Sequence, residues 1–316
     1  MLLRQITKAD GGPNTNPALV TLALSAMSAQ APLLDYAQFY PMVGNSDSIN
    51  GVALATGVGE NRAVGSDYTP NTLSPSAVAG SLIILGDKAQ TDIAYERRGS
   101  AALGSERARQ LESASKSIAR HFMDQFINGT GLTVYMNGLK AQVTNTTSLG
   151  TDGLEVALGN SDANKTKQQQ FIEGLDEMLA TVNGGADVIV MDALTRARLQ
   201  AVGREYVTVS TVTDAFGRQQ ILQTYQGIPI ISAGYAKDNT TKILPFTETS
   251  GSNTDCGSVY GIKFGEKENC TLMTNSGLVV KDMGLSGTFY LTLVEMDAQT
   301  ILVDSKSVGR LTGVRL

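Results

Sequence analysis

The sequence is poor in the residue types that most often carry chemistry. Its 316 residues include no tryptophan, a single histidine and two cysteines. One histidine excludes metal sites built from several histidine ligands, and any Ser-His-Asp or Cys-His arrangement would have to use His121. No recognisable motif places a serine or a cysteine beside it, so we interpret His121 as a structural or solvated residue. We therefore expect no cofactor, no metal site, no catalytic residue and no enzymatic activity.

Two cysteines, Cys256 and Cys270, are too few for a disulfide framework. A reducing compartment would keep them as thiols, and we interpret them as packing residues. The chain also lacks the apolar run of about twenty residues that a membrane span requires, and its N-terminus lacks the pattern of a signal peptide. These absences predict a protein of the cytoplasm that does not enter a membrane.

Charge is scarce as well. Lys and Arg number 25 and Asp and Glu number 30, which gives a formal net charge of -5. A dedicated nucleic-acid binder needs clustered basic residues to displace counterions from phosphates, and this balance argues against that class. Because 42% of the residues are hydrophobic but only 6% are aromatic, we expect a core packed mainly with small aliphatic side chains.

Periodic apolar residues predict a set of helices. The longest covers Ser105–Asn128, where Leu111 and Ile118 recur at helical spacing opposite charged residues. At about 1.5 Å per residue it would span roughly 35 Å and could serve as the backbone of the fold. Ser105 is its expected N-cap, and Asn128-Gly129 is its expected left-handed stop. The other predicted helices are Ala18–Ala29, Thr166–Val182 and Ala193–Val202.

Short apolar or alternating segments predict strands between and after these helices. "ADVIVMD" is an apolar strand, a hairpin is expected around Phe216-Gly217, and "GIPIISAGY" is a buried strand. "GLTVYMNGLKAQV", which follows the longest helix, is predicted to form a strand and a turn. The C-terminal part of the chain is expected to form strands that pair elsewhere in the molecule. This mixture predicts an α+β fold.

The stretch "VGENRAVGSDYTPNTLSPSAVAG", residues 58–80, has almost nothing to bury and lies between segments with strand character. Segments of this length without a core of their own are uncommon inside compact domains, where they are usually functional or disordered. The glycines from Gly57 to Gly65 do not have the spacing of a phosphate-binding loop. We therefore interpret the stretch as a flexible hairpin arm.

A basic cluster at the start of the longest helix leaves three interpretations open. It consists of Arg97, Arg98, Arg107 and Arg109. These side chains could contact phosphates, could pair with acidic groups of a neighbouring chain, or could simply be a solvated start of a helix.

Two pairs of carboxylates could be acid/base candidates. They are Asp187 with Asp192, and Glu295 with Asp297. Acidic residues at strand ends are commonplace, so we do not assign these four residues a catalytic role.

Several segments occur in an order that is informative as a whole. "LGDKAQTDIAYERRG" leads into "ARQLESASKSIARHFMDQFING"; residues 214–217 and 225–231 follow, and the chain returns from Gly284 through "VEMDAQTILVDSKSVGRL". In this order they resemble the major capsid protein of tailed bacteriophages, which has the Hong Kong 97 capsid fold. The resemblance covers nearly the whole chain, and it depends on the succession of segments rather than on one specific motif.

The resemblance implies an α+β fold divided into five segments. These are an N-terminal arm (1–44), an extended β-hairpin loop (45–98), a peripheral domain with a long spine helix (99–159), an axial domain (160–277) and the return strands of the peripheral domain (278–316).

The resemblance also implies a function. A protein of this family self-assembles into the hexamers and pentamers of an icosahedral head shell, which encloses the double-stranded DNA of a tailed phage without sequence-specific binding. The expected partners are further copies of the chain, a portal protein and, in some members, a decoration protein. Because no scaffolding segment precedes Asn16, a separate scaffolding protein is expected as well. The expected location is the capsid of the virion, after assembly in the cytoplasm of the host bacterium.

A physical argument agrees with this resemblance. Residues 58–80 cannot bury enough apolar surface in their own subunit to offset an ordering cost on the order of 1 to 2 kcal/mol per residue. Laid across an adjacent subunit, they would gain apolar partners and opposite charges. The candidate inter-subunit contact residues are Arg62, Val64, Asp67, Tyr68, Leu73, Val78, Arg97, Arg98, Arg107 and Arg109.

Two alternatives stay open. An encapsulin-type compartment would keep the fold and enclose an enzyme cargo in place of DNA, although the long N-terminal arm and the extended loop favour the viral version. A hydrolase or transferase with an unrecognised carboxylate site would be a protein of another class, and turnover by dispersed monomers would establish it.

Overall fold

A computed structural model of the chain describes residues 17–42, 44, 46–51, 61–68, 76–95, 106–204, 206–213, 217 and 219–316. The helices, numbered in chain order, are α1 (Pro17–Gln30), α2 (Glu106–Asn128), α3 (Leu139–Gln142), α4 (Asp162–Thr181) and α5 (Ala193–Val202). A short 3₁₀ helix, Pro32–Asp35, follows α1. In the part of the chain that is described, we find no helix that is both long enough and apolar enough to cross a membrane.

The strands lie before, between and after these helices. They are β1 (Phe39–Pro41), β2 (Ser46–Gly51), β3 (Ser76–Ser81), β4 (Ile83–Asp92), β5 (Thr146–Ser148), β6 (Leu154–Glu155), β7 (Val188–Met191), β8 (Val207–Thr213), β9 (Gln219–Tyr225), β10 (Ile228–Ser232), β11 (Glu248–Ser250), β12 (Asn253–Ile262), β13 (Cys270–Thr274), β14 (Leu278–Ser286), β15 (Phe289–Leu302) and β16 (Val308–Arg315). This mixture confirms the predicted α+β class.

The strands form two main sheets and a separate ribbon. The smaller sheet has the order β1-β13-β15-β14, and β4 pairs with β15 along most of its length. The larger sheet has the order β5-β16-β12-β7-β10-β9-β8, with β11 on β12 and β6 on β16. Strands β2 and β3 pair only with each other among the described strands and form the antiparallel ribbon.

Helix α2 is the axis of the first core. It packs against α1, β4 and β15, and its buried side chains follow the helical spacing read from the sequence. Phe122 and Phe126 stack with ring centroids 6.2 Å apart, and Phe39 lies 6.4 Å from Phe122. A second core lies between α4 and the larger sheet, around Phe171 and Met178. The predicted spine helix is therefore confirmed, and its expected cap, Ser105, lies outside the described residues.

Gly129 ends α2 for a different reason from the one predicted. Its φ is not positive, so the left-handed stop was wrong. A β-carbon at this position would overlap the backbone carbonyl oxygens of Gln125 and Met136. Its amide still donates to Gln125 at 2.9 Å. Glycine is required at this position because the chain that follows α2 folds back and places the backbone of Met136 against Gly129.

The strand predicted in "GLTVYMNGLKAQV" was also wrong. The segment forms a tight turn, closed by an isolated bridge between Thr130 and Asn137, and then the short helix α3. Tertiary hydrogen bonds hold it: the side-chain oxygens of Gln125 and Gln299 accept from the amides of Met136 and Asn137, at 3.2 and 2.8 Å.

The division into five segments stays a prediction, although the sheets show where the chain crosses between its two parts. Strand β13, which falls in the predicted axial segment, pairs with β15 in the smaller sheet. Strand β16, which falls in the predicted return segment, pairs with β12 in the larger sheet. The two parts of the molecule are thus joined by strands as well as by side chains.

Candidate subunit-contact surfaces

The ribbon of β2 and β3 lies where the extended loop was expected. Its pairing runs from Ser46 opposite Ser81 to Gly51 opposite Ser76, a length of about 20 Å at about 3.3 Å per residue. Its base is attached to the smaller sheet, because the side-chain amide of Gln299 donates to the carbonyl oxygen of Ser81 at 2.9 Å. The chain that connects the two strands at the other end, residues 52–75, includes the described segment 61–68.

Every residue of the segment 61–68 is exposed. Val64 is fully exposed and Tyr68 is 56% exposed. Arg62 donates to the carbonyl oxygen of Ser66 at 2.9 Å and lies 5.5 Å from the centre of the Tyr68 ring. Among the residues that the structure describes, the hydrogen bonds and the ring contact of these side chains lie within the segment. Its apolar and charged side chains therefore face solvent in the isolated subunit.

The candidate contact residues of this arm divide into three groups. Arg62, Val64, Asp67 and Tyr68 are exposed in the segment just described. Val78 lies in β3, and the structure describes the backbone there but not the side chain. Leu73 lies outside the described residues, so its contact role stays a prediction, as it does for the others.

The two described arginines of the basic cluster have different surroundings. Arg107 makes a 2.6 Å salt bridge to Asp282 and lies 5.2 Å from the centre of the Tyr290 ring, so its guanidinium already has partners in its own subunit. The side chain of Arg109 is 57% exposed, and its one ion pair among the described residues is with Glu106, one helical turn earlier, at 3.6 Å. Of these two, Arg109 is the one available to a neighbouring chain. Arg97 and Arg98 lie outside the described residues.

Sequence reasoning missed an exposed apolar turn after α2. Leu132, Val134 and Tyr135 are 67%, 64% and 47% exposed, and Thr133 between them has a φ of +28°. Three large apolar side chains within four residues of one turn are unusual at a solvated surface. The apolar run in "GLTVYM" was the available signal, but a strand with a buried face explains such a run equally well.

His121 lies half-buried on α2. Burial lowers its pKa from the ordinary value, the charge of Lys237 lowers it further, and Asp124 opposes both. Among the described residues its buried Nδ1 atom has no hydrogen-bond partner. This environment favours the neutral imidazole and is compatible with the structural role that we expected.

The cysteines and the first carboxylate pair occupy structural positions. Cys256 and Cys270 are buried free thiols, and burial raises the pKa of Cys270 to about 12. Asp187 accepts from the amide of Phe264 at 2.9 Å. Asp192 caps α5 by accepting from the amide of Leu194 at 2.9 Å. Burial accounts for the positions of the two cysteines, and these hydrogen bonds account for the positions of the two aspartates.

A charged cluster joins the two parts of the molecule at Glu248. Lys140 and Arg310 lie 2.8 and 2.7 Å from its Oε1 atom, and the hydroxyl of Ser258 donates to Oε2. Burial alone would raise the pKa of Glu248, but the hydrogen bonds from Lys140 and Ser258 and the charge of Arg310 lower it overall. The cluster is a structural ion-pair network. Within the described residues, no group of three or more His, Cys, Asp and Glu side chains could hold a metal ion.

The fold of this chain is similar to the folds in solved structures of an encapsulin complex and of capsids. An encapsulin complex from Synechococcus elongatus PCC 7942 matches with a TM-score of 0.59 and 14% identity, over 99% of this chain and 94% of that one. The capsid of a native GTA particle matches with a TM-score of 0.53 and 14% identity, over 92% and 90%. The capsid fold of the Hong Kong 97 type is the fold of this chain.

A structure of Gordonia phage Cozz also matches, with a TM-score of 0.51 and 13% identity over 96% of this chain and 88% of that one. No protein-family model matches the sequence, and no curated protein matches it either. Helix α2 lies where the spine helix was expected, and the ribbon of β2 and β3 lies where the extended hairpin loop was expected.

Proposed function

We propose that this chain is the major capsid protein of a tailed bacteriophage, and that it self-assembles into the icosahedral shell that encloses the double-stranded DNA genome. Its function is structural and needs no catalytic residue. The subunits would form hexamers and pentamers, with a portal protein and a separate scaffolding protein as assembly partners. The capsid fold supports the shell-forming part of this proposal, and the ribbon supports the assembly mechanism.

The observation that carries the proposal is the exposure of residues 61–68 at the end of the ribbon. Val64 and Tyr68 would lose water-exposed apolar area only if another chain covered them. Each Å² of apolar area removed from water contributes about 25 cal/mol of favourable free energy to the association. The charges of Arg62 and Asp67 would limit which surface can accept the segment. A second copy of the chain supplies such a surface at every joint of a shell.

Many individually weak subunit contacts suit the assembly of a shell. A standard protein interface buries about 800 Å² per partner, and a subunit surrounded by several neighbours gains from all contacts at once. Individually weak contacts also allow a misplaced subunit to dissociate during assembly. The net charge of -5 is compatible with a wall that confines DNA without binding it tightly.

The register of the ribbon provides a direct test. Because Gly51 lies opposite Ser76, residues 52–75 can be replaced by Asn-Gly, a two-residue turn that closes an antiparallel hairpin. This variant keeps both strands. We expect a monomeric subunit with the helix content of the original protein that forms no shells in electron micrographs. Shells of normal size and yield from the variant would contradict the proposed assembly mechanism.

An encapsulin-type compartment is the second candidate, because an encapsulin complex is among the matching structures over nearly the whole chain. The contents of the particle separate the two candidates. Particles purified from the cells that naturally make the protein are treated with nuclease, opened and assayed for DNA and for protein. Protected double-stranded DNA supports the phage shell, whereas one abundant second polypeptide and no DNA supports the compartment.

A further inference from the structure

Four asparagines of the chain are followed directly by glycine: Asn50, Asn128, Asn137 and Asn183. Such a pair can react with itself. The amide nitrogen of the glycine, after it loses its proton to hydroxide, attacks the side-chain carbonyl carbon of the asparagine; ammonia leaves with a proton from water, and a succinimide ring remains. Water then opens the ring at either carbonyl, and the product is aspartate or isoaspartate. Glycine favours the attack because it has no β-carbon to hinder the approach.

The structure describes three of these pairs with their side chains, and the fold protects two of them. Ring closure requires the peptide between asparagine and glycine to rotate, so a hydrogen bond that holds the glycine amide has to break first. The amide of Gly129 donates to the carbonyl oxygen of Gln125 at 2.9 Å, and the amide of Gly138 donates to that of Gly129 at 3.0 Å. Both glycines are buried. Asn128 and Asn137 should therefore react slowly in the folded subunit.

Asn183 lies in the turn between α4 and β7, and its surroundings are different. In the part of the chain that the structure describes, the amide of Gly184 makes no hydrogen bond. Residues 183–185 are all exposed, and Gly184 has a φ of +76°. A β-carbon built on Gly184 would lie 3.8 Å from the side chain of Lys263 and no closer to any other described atom beyond its chain neighbours. The peptide that has to rotate is therefore neither hydrogen-bonded nor crowded.

A positive charge lies next to this turn. The ammonium of Lys263 donates to the carbonyl oxygen of Gly184 at 3.2 Å and lies 3.4 Å from Asp187. A nearby cation stabilises a negatively charged group, and the attacking form of the glycine amide is negatively charged. Asp187 offsets part of this effect. The turn thus combines freedom of the peptide with electrostatic surroundings that favour ring closure.

We propose that Asn183 is a site of spontaneous covalent modification, at which the folded subunit converts its own asparagine to aspartate and isoaspartate. The overall reaction consumes water and releases ammonia, so it needs no enzyme, cofactor or oxidant. The inference goes beyond the shell-forming function and does not depend on it, because an unassembled subunit contains the whole site.

The side chain that would change contacts the segment that joins the two sheets. Residues 303–307 connect β15 of the smaller sheet to β16 of the larger sheet. The side-chain amide of Asn183 donates to Asp304 at 3.3 Å, and its backbone amide donates to the carbonyl oxygen of Lys306 at 2.9 Å. Conversion replaces the donor by a second carboxylate, which repels Asp304, and isoaspartate also adds a methylene to the backbone. The modification should therefore weaken the attachment of this segment.

Peptide mapping by mass spectrometry measures the conversion. The full-length subunit is incubated at mildly alkaline pH, and an isoaspartate-specific methyltransferase distinguishes the two products. Conversion at Asn183 should be at least about tenfold faster than at Asn128 or Asn137, a ratio equivalent to ~1.4 kcal/mol. In denaturant the three pairs should react at similar rates, because the hydrogen bonds that protect two of them are lost.

Asn183→Gln is the matched control. It keeps a side-chain amide at the same position, but its additional methylene makes closure of the succinimide ring impossible. No product should therefore appear at this position, while the other pairs react as in the original protein. Lys263→Gln should slow the conversion at Asn183, because the cation next to the attacking amide is removed.

An exchange of donor and acceptor tests the structural consequence. Asn183→Asp reproduces the aspartate product and should raise the unfolding equilibrium constant roughly twofold to fivefold, as expected for the loss of one surface contact. The double variant N183D/D304N places the amide on the other side of the same contact and should restore the original value. Denaturant unfolding of the original protein and of both variants measures these constants.

The possible outcomes test separate steps. If Asn183 stays intact in the folded subunit but reacts in denaturant, or if Asn128 and Asn137 react as fast as Asn183 in the folded subunit, the proposal is wrong. An unchanged rate in Lys263→Gln would exclude the electrostatic contribution, and an unchanged stability of Asn183→Asp would exclude the weakened attachment. Conversion concentrated at Asn183 supports the site. If the subunit converts there but forms no shells, the proposed function fails while this site stands.

Discussion

Lys140 and Glu248 connect the two parts of the subunit through a 2.8 Å salt bridge. Lys140 belongs to α3, which is attached to the smaller sheet because Gln142 accepts from the amide of Leu302 at 3.1 Å. Glu248 belongs to β11 at the larger sheet and also pairs with Arg310 of β16 at 2.7 Å. The relative position of the two sheets therefore depends partly on one carboxylate.

Glu248→Gln should destabilise the isolated subunit by about 1–3 kcal/mol, because it leaves Lys140 and Arg310 without the charge that they share. Denaturant unfolding monitored by circular dichroism measures this difference. Glu155→Gln is the matched control: its 3.2 Å pair with Lys167 is on the surface, so the change should be below about 1 kcal/mol. Equal effects of the two substitutions would contradict the bridging role of Glu248.

The contribution of Glu248 should depend on pH. Its pKa in the folded protein is lowered, whereas an unperturbed glutamate titrates near about 4.3. The folded state thus binds fewer protons, so the stabilisation is fully present above about pH 5 and is lost as the pH falls through the folded pKa. We expect the difference in unfolding free energy between the original protein and Glu248→Gln to be constant from about pH 5 to 7 and to shrink at lower pH. A difference that grows on acidification would contradict this.

Two arginines that lie two residues apart on α2 should behave differently. Arg107→Ala removes the salt bridge to Asp282 and the contact with Tyr290, so the subunit should lose about 1 kcal/mol of stability. Arg109→Ala should leave the stability within about 0.5 kcal/mol, because that side chain is exposed. If Arg109 contacts a neighbouring chain, its substitution should lower particle yield instead. The reverse assignment of the two effects would show that our interpretation of the cluster is wrong.

Gly129→Ala should destabilise the subunit by at least about 1–3 kcal/mol, the cost typical of forcing extra atoms into a packed site. The added β-carbon would overlap the carbonyl oxygens of Gln125 and Met136, so the turn after α2 would have to move. Thermal unfolding of the soluble subunit measures the loss, with Arg109→Ala as an exposed control on the same helix. An unchanged melting temperature would mean that the turn adjusts freely.

Local sequence pattern was sufficient to predict a helix wherever the helix buries one periodic apolar face. Helix α5 has the predicted bounds, and α2 differs from its prediction by the one residue, Ser105, that is not described. The hairpin around Gly217 was found from its two β-rich runs. Local pattern did not predict strand β2, because a segment rich in Ser, Asn and Gly becomes a strand only by pairing with β3; a hairpin in this region was expected from the resemblance alone.

The candidate contact surfaces were less predictable, because exposure depends on where a neighbouring element ends. Val209 and Ile221 have the pattern of core residues. They are exposed because α4 and α5 cover the hairpin of β8 and β9 only near its base. The exposure of Leu132 was equally hard to predict, because the turn that carries it depends on hydrogen bonds to the side chains of Gln125 and Gln299. The order of segments predicted the fold, while the surfaces required coordinates.

The exposed end of the ribbon provides the last prediction. Val64→Asp should leave the unfolding free energy of the subunit within about 0.5 kcal/mol, because Val64 is fully exposed there. In a shell, the same substitution would bury a charge against an apolar partner, and a cost of about 1.4 kcal/mol already lowers an association constant tenfold. Particle yield should therefore fall at least tenfold, as counted by electron microscopy after sedimentation, while Val64→Thr, which keeps the shape without the charge, should assemble nearly normally. Since each subunit repeats the contact, the loss in the shell should exceed the loss at one joint. Normal particles from Val64→Asp would show that this side chain stays in water after assembly, and the extended loop would then have to hold its neighbour through other residues.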